Sequence, residues 1–149
     1  MHTVTAHTNR APAETTGLRG NFRLERISVD VHVNHREAGV FTLGSLAPPS
    51  PARPWSPTTG PDPAGSVPGE LSIKYVGRSD HDLRSEIAEH IGRYDAFQFE
   101  FYPNDVAAFE KECRLYHSFG GPDGKLDNPS HPPRPERFPR MSCPVCGAG

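Results

Sequence analysis

Phe97-Gln98-Phe99-Glu100-Phe101-Tyr102, followed by Pro103-Asn104, is the stretch that decides the fold. Apolar and polar residues alternate strictly over it, the signature of a strand with one face in a core. Proline stops the strand, and Asn104 is suited to cap a helix by accepting backbone N–H bonds. Beyond the cap, Val106, Phe109, Cys113 and Tyr116 recur at helical spacing, which predicts a helix to about Phe119 with those four side chains inward. Gly120-Gly121 supplies its stop.

Upstream, residues 71–76 read as another strand, with Leu71, Ile73 and Tyr75 on one face. Ser79 or Asp80 then caps a first helix, with Asp82 placed to return the cap bond. Its inner face is Leu83, Ile87, His90 or Ile91, and Tyr94. Residues 39–44 form a short strand between glycines, and Ile27, Val29, Val31 and Val33, alternating with Ser28, Asp30 and His32, predict a half-buried strand. The expected class is α+β: a small, mainly antiparallel three-stranded core sheet with flanking helices.

The chain has 149 residues, the size of one domain. Proline occurs 17 times, and eight prolines lie between Pro48 and Pro68, where ladder donors and apolar periodicity are lacking. A disordered insertion over 45–69, forming an overgrown hairpin loop between two neighbouring strands, is therefore expected. Its proline spacing also offers a polyproline ligand to a protein partner. Residues 1–20 are polar and aperiodic, which predicts a disordered tail; 21–128 would be the folded domain and 129–149 a tail packed on it. Neither a signal-peptide core nor a membrane-length apolar run is present, so a cytoplasmic protein without a membrane partner is expected. Seven Lys/Arg face eleven Asp/Glu between Leu71 and Asn128, a balance that disfavours broad phosphate-backbone gripping.

All three cysteines fall in two short motifs, Cys113-x3-His117 and Cys143-x2-Cys146. The first has the spacing of one helical turn, with His117 about 40° around from Cys113. The second is a metal knuckle, stiffened by Pro144 and turned by Gly147. Three thiolates and one imidazole make a complete tetrahedral zinc set, with His131 in reserve as fourth ligand if His117 faces away. A redox role for Cys143 and Cys146 would need a following helix to lower the thiol pKa, and only Gly147, Ala148 and Gly149 follow.

The order Gly39-Val40-Phe41, Tyr75-Val76-Gly77-Arg78-Ser79, helix, strand, a helix carrying Ala108-x3-Glu112, then Leu126-Asp127-Asn128 resembles the GIY-YIG nuclease superfamily. The resemblance runs from Gly39 to Asn128 and is broken by the Pro-rich insertion. It implies DNA phosphodiester hydrolysis in which Glu112 holds a divalent Mg or Mn ion that stabilises the leaving oxygen. Tyr75 would bind or polarise the attacking water, Asn128 support the site, and a helix arginine neutralise the phosphate. Two positions depart from the pattern. Phe41 stands where a tyrosine hydroxyl is usual, and Glu86, four residues before His90, stands where the arginine belongs. Arg84 falls on the opposite helix face; Arg78 is the nearby cation left to stand in. The sequence thus predicts a divergent endonuclease, weak or silent, with Tyr75, Arg78, His90, Glu112 and Asn128 as its site and a structural zinc at its C-terminus. The alternative is a silent, zinc-stabilised module that binds nucleic acid or protein.

Four of the five have an ordinary reading beside the catalytic one: Tyr75 as a packed core ring, His90 as a core-edge histidine, Glu112 as a solvated helix residue, and Asn128 before Pro129 as a turn.

Overall fold

A computed structural model describes residues 16–46, 67 and 70–148. The elements, in chain order, are β1 (Arg19–Arg23), α1 (Arg26–His32), β2 (Gly39–Leu46), β3 (Leu71–Ser79), α2 (Leu83–Ala88), β4 (Ala96–Phe101) and α3 (Asp105–Ser118), with a short 3-10 turn at Gly121–Asp123. The strands form one antiparallel sheet in the order β1-β4-β2-β3. The class is α+β, as expected, but the sheet has four strands.

The alternation in 97–101 does what it predicts. Phe97 and Phe99 enter one core layer, between the sheet and helices α1 and α2, with Phe22, Val29, Val33, Phe41, Leu43, Leu83 and Ile87. On the other face, Val40, Val76 and Ala96 pack with Ala108 and Leu115 of α3. Asn104 caps α3, its side chain accepting the Ala107 N–H at 2.8 Å. Buried along α3 are Phe109, Cys113 and Tyr116, as expected, together with Ala108, Glu112 and Leu115, whereas Val106 is only half-buried.

Two expectations are overturned. Residues 27–33 are not a strand but α1 with its C-cap. Val29 and Val33, one helical turn apart, are fully buried, while Ile27 and Val31 are 70% and 61% exposed. Four apolar residues at alternate positions contain an i,i+4 pair as well as a period-2 row. Packing of Val29 and Val33 under Phe22 and Leu24 outweighs the β preference of branched residues. The missing strand is instead β1, starting at Arg19 within the stretch expected to be a tail, and it pairs Phe22 with Phe97 on the free edge of β4.

Helix α2 is also shorter than expected. Ser79 accepts the Asp82 N–H at 2.8 Å in a turn, and Asp82 itself is the cap, accepting the Ser85 N–H. Strand β2 continues to Leu46, which pairs with Leu71, so β2 and β3 are antiparallel neighbours. Of the Pro-rich stretch 45–69, only Ser45, Leu46 and Val67 are described, so its expected disorder lies outside the described residues, as does that of 1–15. Val67 packs on the α3-side layer and donates its N–H to the Asn21 carbonyl at 2.8 Å. Gly77 lies beneath the Phe41 ring, which occupies the space a Cβ would need. No described helix is long and apolar enough to cross a membrane.

Candidate metal centre and the Glu112 cluster

α3 delivers His117 at its last turn, and the chain returns past it twice, first at His131 and then at the Cys143–Cys146 knuckle. The ligand atoms of His117, His131, Cys143 and Cys146 all lie within 4.8 Å of one another. His117 Nε2 and His131 Nε2 are 3.3 Å apart, and Cys146 Sγ is 3.4 Å from His131 Nε2. Donors on a tetrahedral shell of radius about 2.0–2.3 Å sit about 3.3–3.8 Å apart, the spacing of these two pairs, and the four residues together could hold one metal ion. His131 Nδ1 lies 2.8 Å from the Pro132 carbonyl. A carbonyl only accepts, so that nitrogen carries the proton and Nε2 is left free to ligate, the support typical of metal-bound histidine.

The knuckle is preset for a thiolate. Cys143 Sγ accepts the backbone N–H groups of Val145 and Cys146 at 3.3 and 3.5 Å, and Gly147, at φ 81°, lets the chain turn back. Burial alone would push the Cys143 thiol up, but the Cys146 and Val145 N–H groups, with His131 and Cys113, bring it down to about 6.

Cys113 differs from its expected place. It is fully buried against Phe109, Met141 and Cys143, and it falls outside the four-donor group. Burial, and then Cys143, push its thiol well above the usual range. The four-donor group found among the described residues has two thiols and two imidazoles, with His131 in it where Cys113 was expected and His117 present as expected. No spacing rule could have chosen His131, because a proline-rich strap brings it back to α3.

The contacts of the five expected catalytic residues pair Tyr75 with His90 and Arg78 with Glu112, and place Asn128 on the β3 backbone. Alternation along β3 sends Tyr75 to the α2 side and Arg78 to the α3 side. Tyr75 packs between Phe41, at 6.1 Å between ring centres, and His90, at 4.9 Å. His90 Nδ1 is buried without a hydrogen-bond partner among the described residues, and burial lowers the ring's pKa. Glu86 is half-buried here, its carboxyl pushed up by burial and by Glu89. Burial, then Glu112 and Glu86, raise the Tyr75 phenol.

On the other side Arg78 is clamped. Its Nη1 donates to Glu112 Oε1 at 2.7 Å and to the Pro133 carbonyl at 2.6 Å, and its Nε donates to Asp80 Oδ1 at 2.6 Å. Its guanidinium also lies over the Phe109 ring, 5.3 Å from the centre. Both members of the pair are buried, with 7% of the Arg78 side chain and 6% of the Glu112 side chain exposed. Burial pushes the Glu112 carboxyl up to about 7 against the pull of Arg78, whose charge is shared with Asp80. Asn128 does backbone work: its Oδ1 accepts the Val76 N–H at 3.1 Å and its Nδ2 donates to the Val76 carbonyl at 2.7 Å. Asp80 and the Pro133 carbonyl are parts of this cluster that no motif announces.

Comparison of the chain with protein-family models, with curated proteins and with solved structures finds no match.

Proposed function

We propose that this chain is a catalytically silent, GIY-YIG-like domain stapled by one zinc ion, and that it acts as a binding module for nucleic acid or protein. Two soft thiolates and two imidazoles gathered within 4.8 Å of one another suit zinc over the hard, oxygen-seeking cations. The order β2, β3, α2, β4, α3 accords with the resemblance in sequence. The observation that carries the silent reading is the buried Arg78–Glu112 pair. A carboxylate meant to hold a catalytic Mg or Mn must offer its oxygens to the ion and its waters, whereas Glu112 is closed in beneath a guanidinium. Glu86 and Glu89 add negative charge near Tyr75, where a phosphate would have to dock.

The second reading, a slow metal-dependent endonuclease using Tyr75, Arg78, His90, Glu112 and Asn128, has one point in its favour. β3 is an edge strand, and around that edge Tyr75 and Glu112 are close enough to feel each other's charge. A nicking assay on plasmid and branched DNA with Mg or Mn separates the two. The silent module leaves both substrates intact, and its DNA affinity is the same in wild type and Glu112→Ala. Cleavage by wild type that Glu112→Ala abolishes would establish the enzyme instead.

A further inference from the structure

The clasp and the Arg78–Glu112 pair are physically joined by the short, proline-rich strap 129–135. His131 is a donor of the clasp, and two residues later the Pro133 carbonyl accepts from Arg78 Nη1 at 2.6 Å. His131 is also near enough for its ring to bear on the Glu112 carboxyl. Before the strap, Asn128 is tied to the Val76 backbone; beyond it, Arg137 donates twice to Asp105, at 2.8 and 3.0 Å. His131 lies third in the strap and is half-buried, and Pro132 and Pro135 are buried. Four of the seven strap residues are prolines, so displacement at His131 is carried along a stiff segment and not absorbed locally. A cleft of about 500 Å³ lined by Asp80, Asn104, Asp105 and Arg137 already borders this region.

We propose that the strap is a metal-latched cover: the ion held by His117, His131, Cys143 and Cys146 keeps Pro133 seated on Arg78, and its loss uncovers Glu112. The proposal rests on the clasp reading above and adds to it a consequence at a second place in the fold. It makes metal occupancy the control on whether this buried pair meets solvent, whatever the pair does when uncovered.

The test is carboxyl labelling with a carbodiimide and an amine, read residue by residue by mass spectrometry, on the full chain with its zinc content measured in the same sample. Exposed Glu89 is the internal reference, and amide exchange in β4 reports whether the sheet stays folded. In the zinc-loaded protein Glu112 should label far more slowly than Glu89. Chelation should raise Glu112 labelling at least about tenfold, as a minor open state becomes the major one, with β4 amides still protected. Zinc re-addition should reverse the change in wild type but not in His131→Ala. Unchanged Glu112 labelling after confirmed zinc loss overturns the latch while leaving the clasp standing. Labelling that rises only together with β4 exchange means global unfolding and also overturns it. A chain that binds no zinc removes the clasp and the latch together.

Discussion

Removing the metal, by chelation or by Cys143→Ser, should lower the midpoint of thermal unfolding by about 10 °C or more. The segment from Asn128 onward has little apolar anchorage: Met141 and Cys143 pack against Phe109 and Cys113, and most of its other residues are exposed. Structural zinc binding is worth ~10–16 kcal/mol in isolated finger peptides. Each kcal/mol of that stabilisation that reaches the domain shifts the midpoint by roughly 4–8 °C. Elemental analysis then distinguishes the donors. His131→Ala should lose zinc and Cys113→Ser should keep it, because the Cys113 thiol lies outside the four-donor group. Zinc retained in His131→Ala and lost in Cys113→Ser would restore the set of three thiolates and one imidazole.

Arg78→Met should destabilise the fold by about 3–5 kcal/mol near pH 8, the cost of leaving a buried carboxylate without its cation. Methionine keeps most of the contact with Phe109 and removes the charge. The pH dependence follows from Glu112, whose folded-state pKa of about 7 lies above its ordinary value. A raised pKa means that the native state holds the proton more tightly than the unfolded chain. Glu112 therefore contributes stability that is fully present below its unfolded pKa and is lost as pH rises through about 7. In Arg78→Met the carboxyl rises further, so the deficit relative to wild type should be smaller at pH 5 than at pH 8. Glu112→Gln should flatten the wild-type slope between these values. Urea denaturation at pH 5, 6, 7 and 8 measures all three chains, and a deficit for Arg78→Met that does not grow with pH would mean that Glu112 is not held as the structure has it.

Segments 97–101 and 104–118 were legible because two unambiguous periods are separated by proline and a capping asparagine. Residues 27–33 were not, because the same four apolar positions satisfy both a strand and one turn of helix. Only the neighbours, Phe22 and Leu24, decide between them. Strand β1 has a single apolar side chain, Phe22, and owes its state to the free edge of β4, which is a tertiary fact. In the clasp, Cys143-x2-Cys146 and His117 carry local spacing and could be read. The difference between Cys113 and His117 is the depth of two neighbouring positions on one helix, which the pattern leaves open. The five residues of the nuclease resemblance show the same limit: their order and the alternation of Tyr75 and Arg78 can be read along the chain, but not the shift in the β2–β3 register that puts Tyr75 across the sheet from Leu71 and Ile73.

Asn128 closes more than a local hydrogen-bond pair. β3 is an outer strand, and such a margin, with its unpaired N–H and C=O groups, is where a strand of another molecule can add. Here the Asp127 N–H donates to the Lys74 carbonyl at 2.5 Å, and Asn128 satisfies both backbone groups of Val76. The 127–128 segment thus behaves as a two-residue mock strand that takes up the places a neighbour would use. At the opposite margin, β1 presents exposed Arg19 and Arg23, and Val67 binds Asn21. One border of the sheet is covered at Lys74 and Val76 and the other is charged, two features that disfavour strand addition by another molecule.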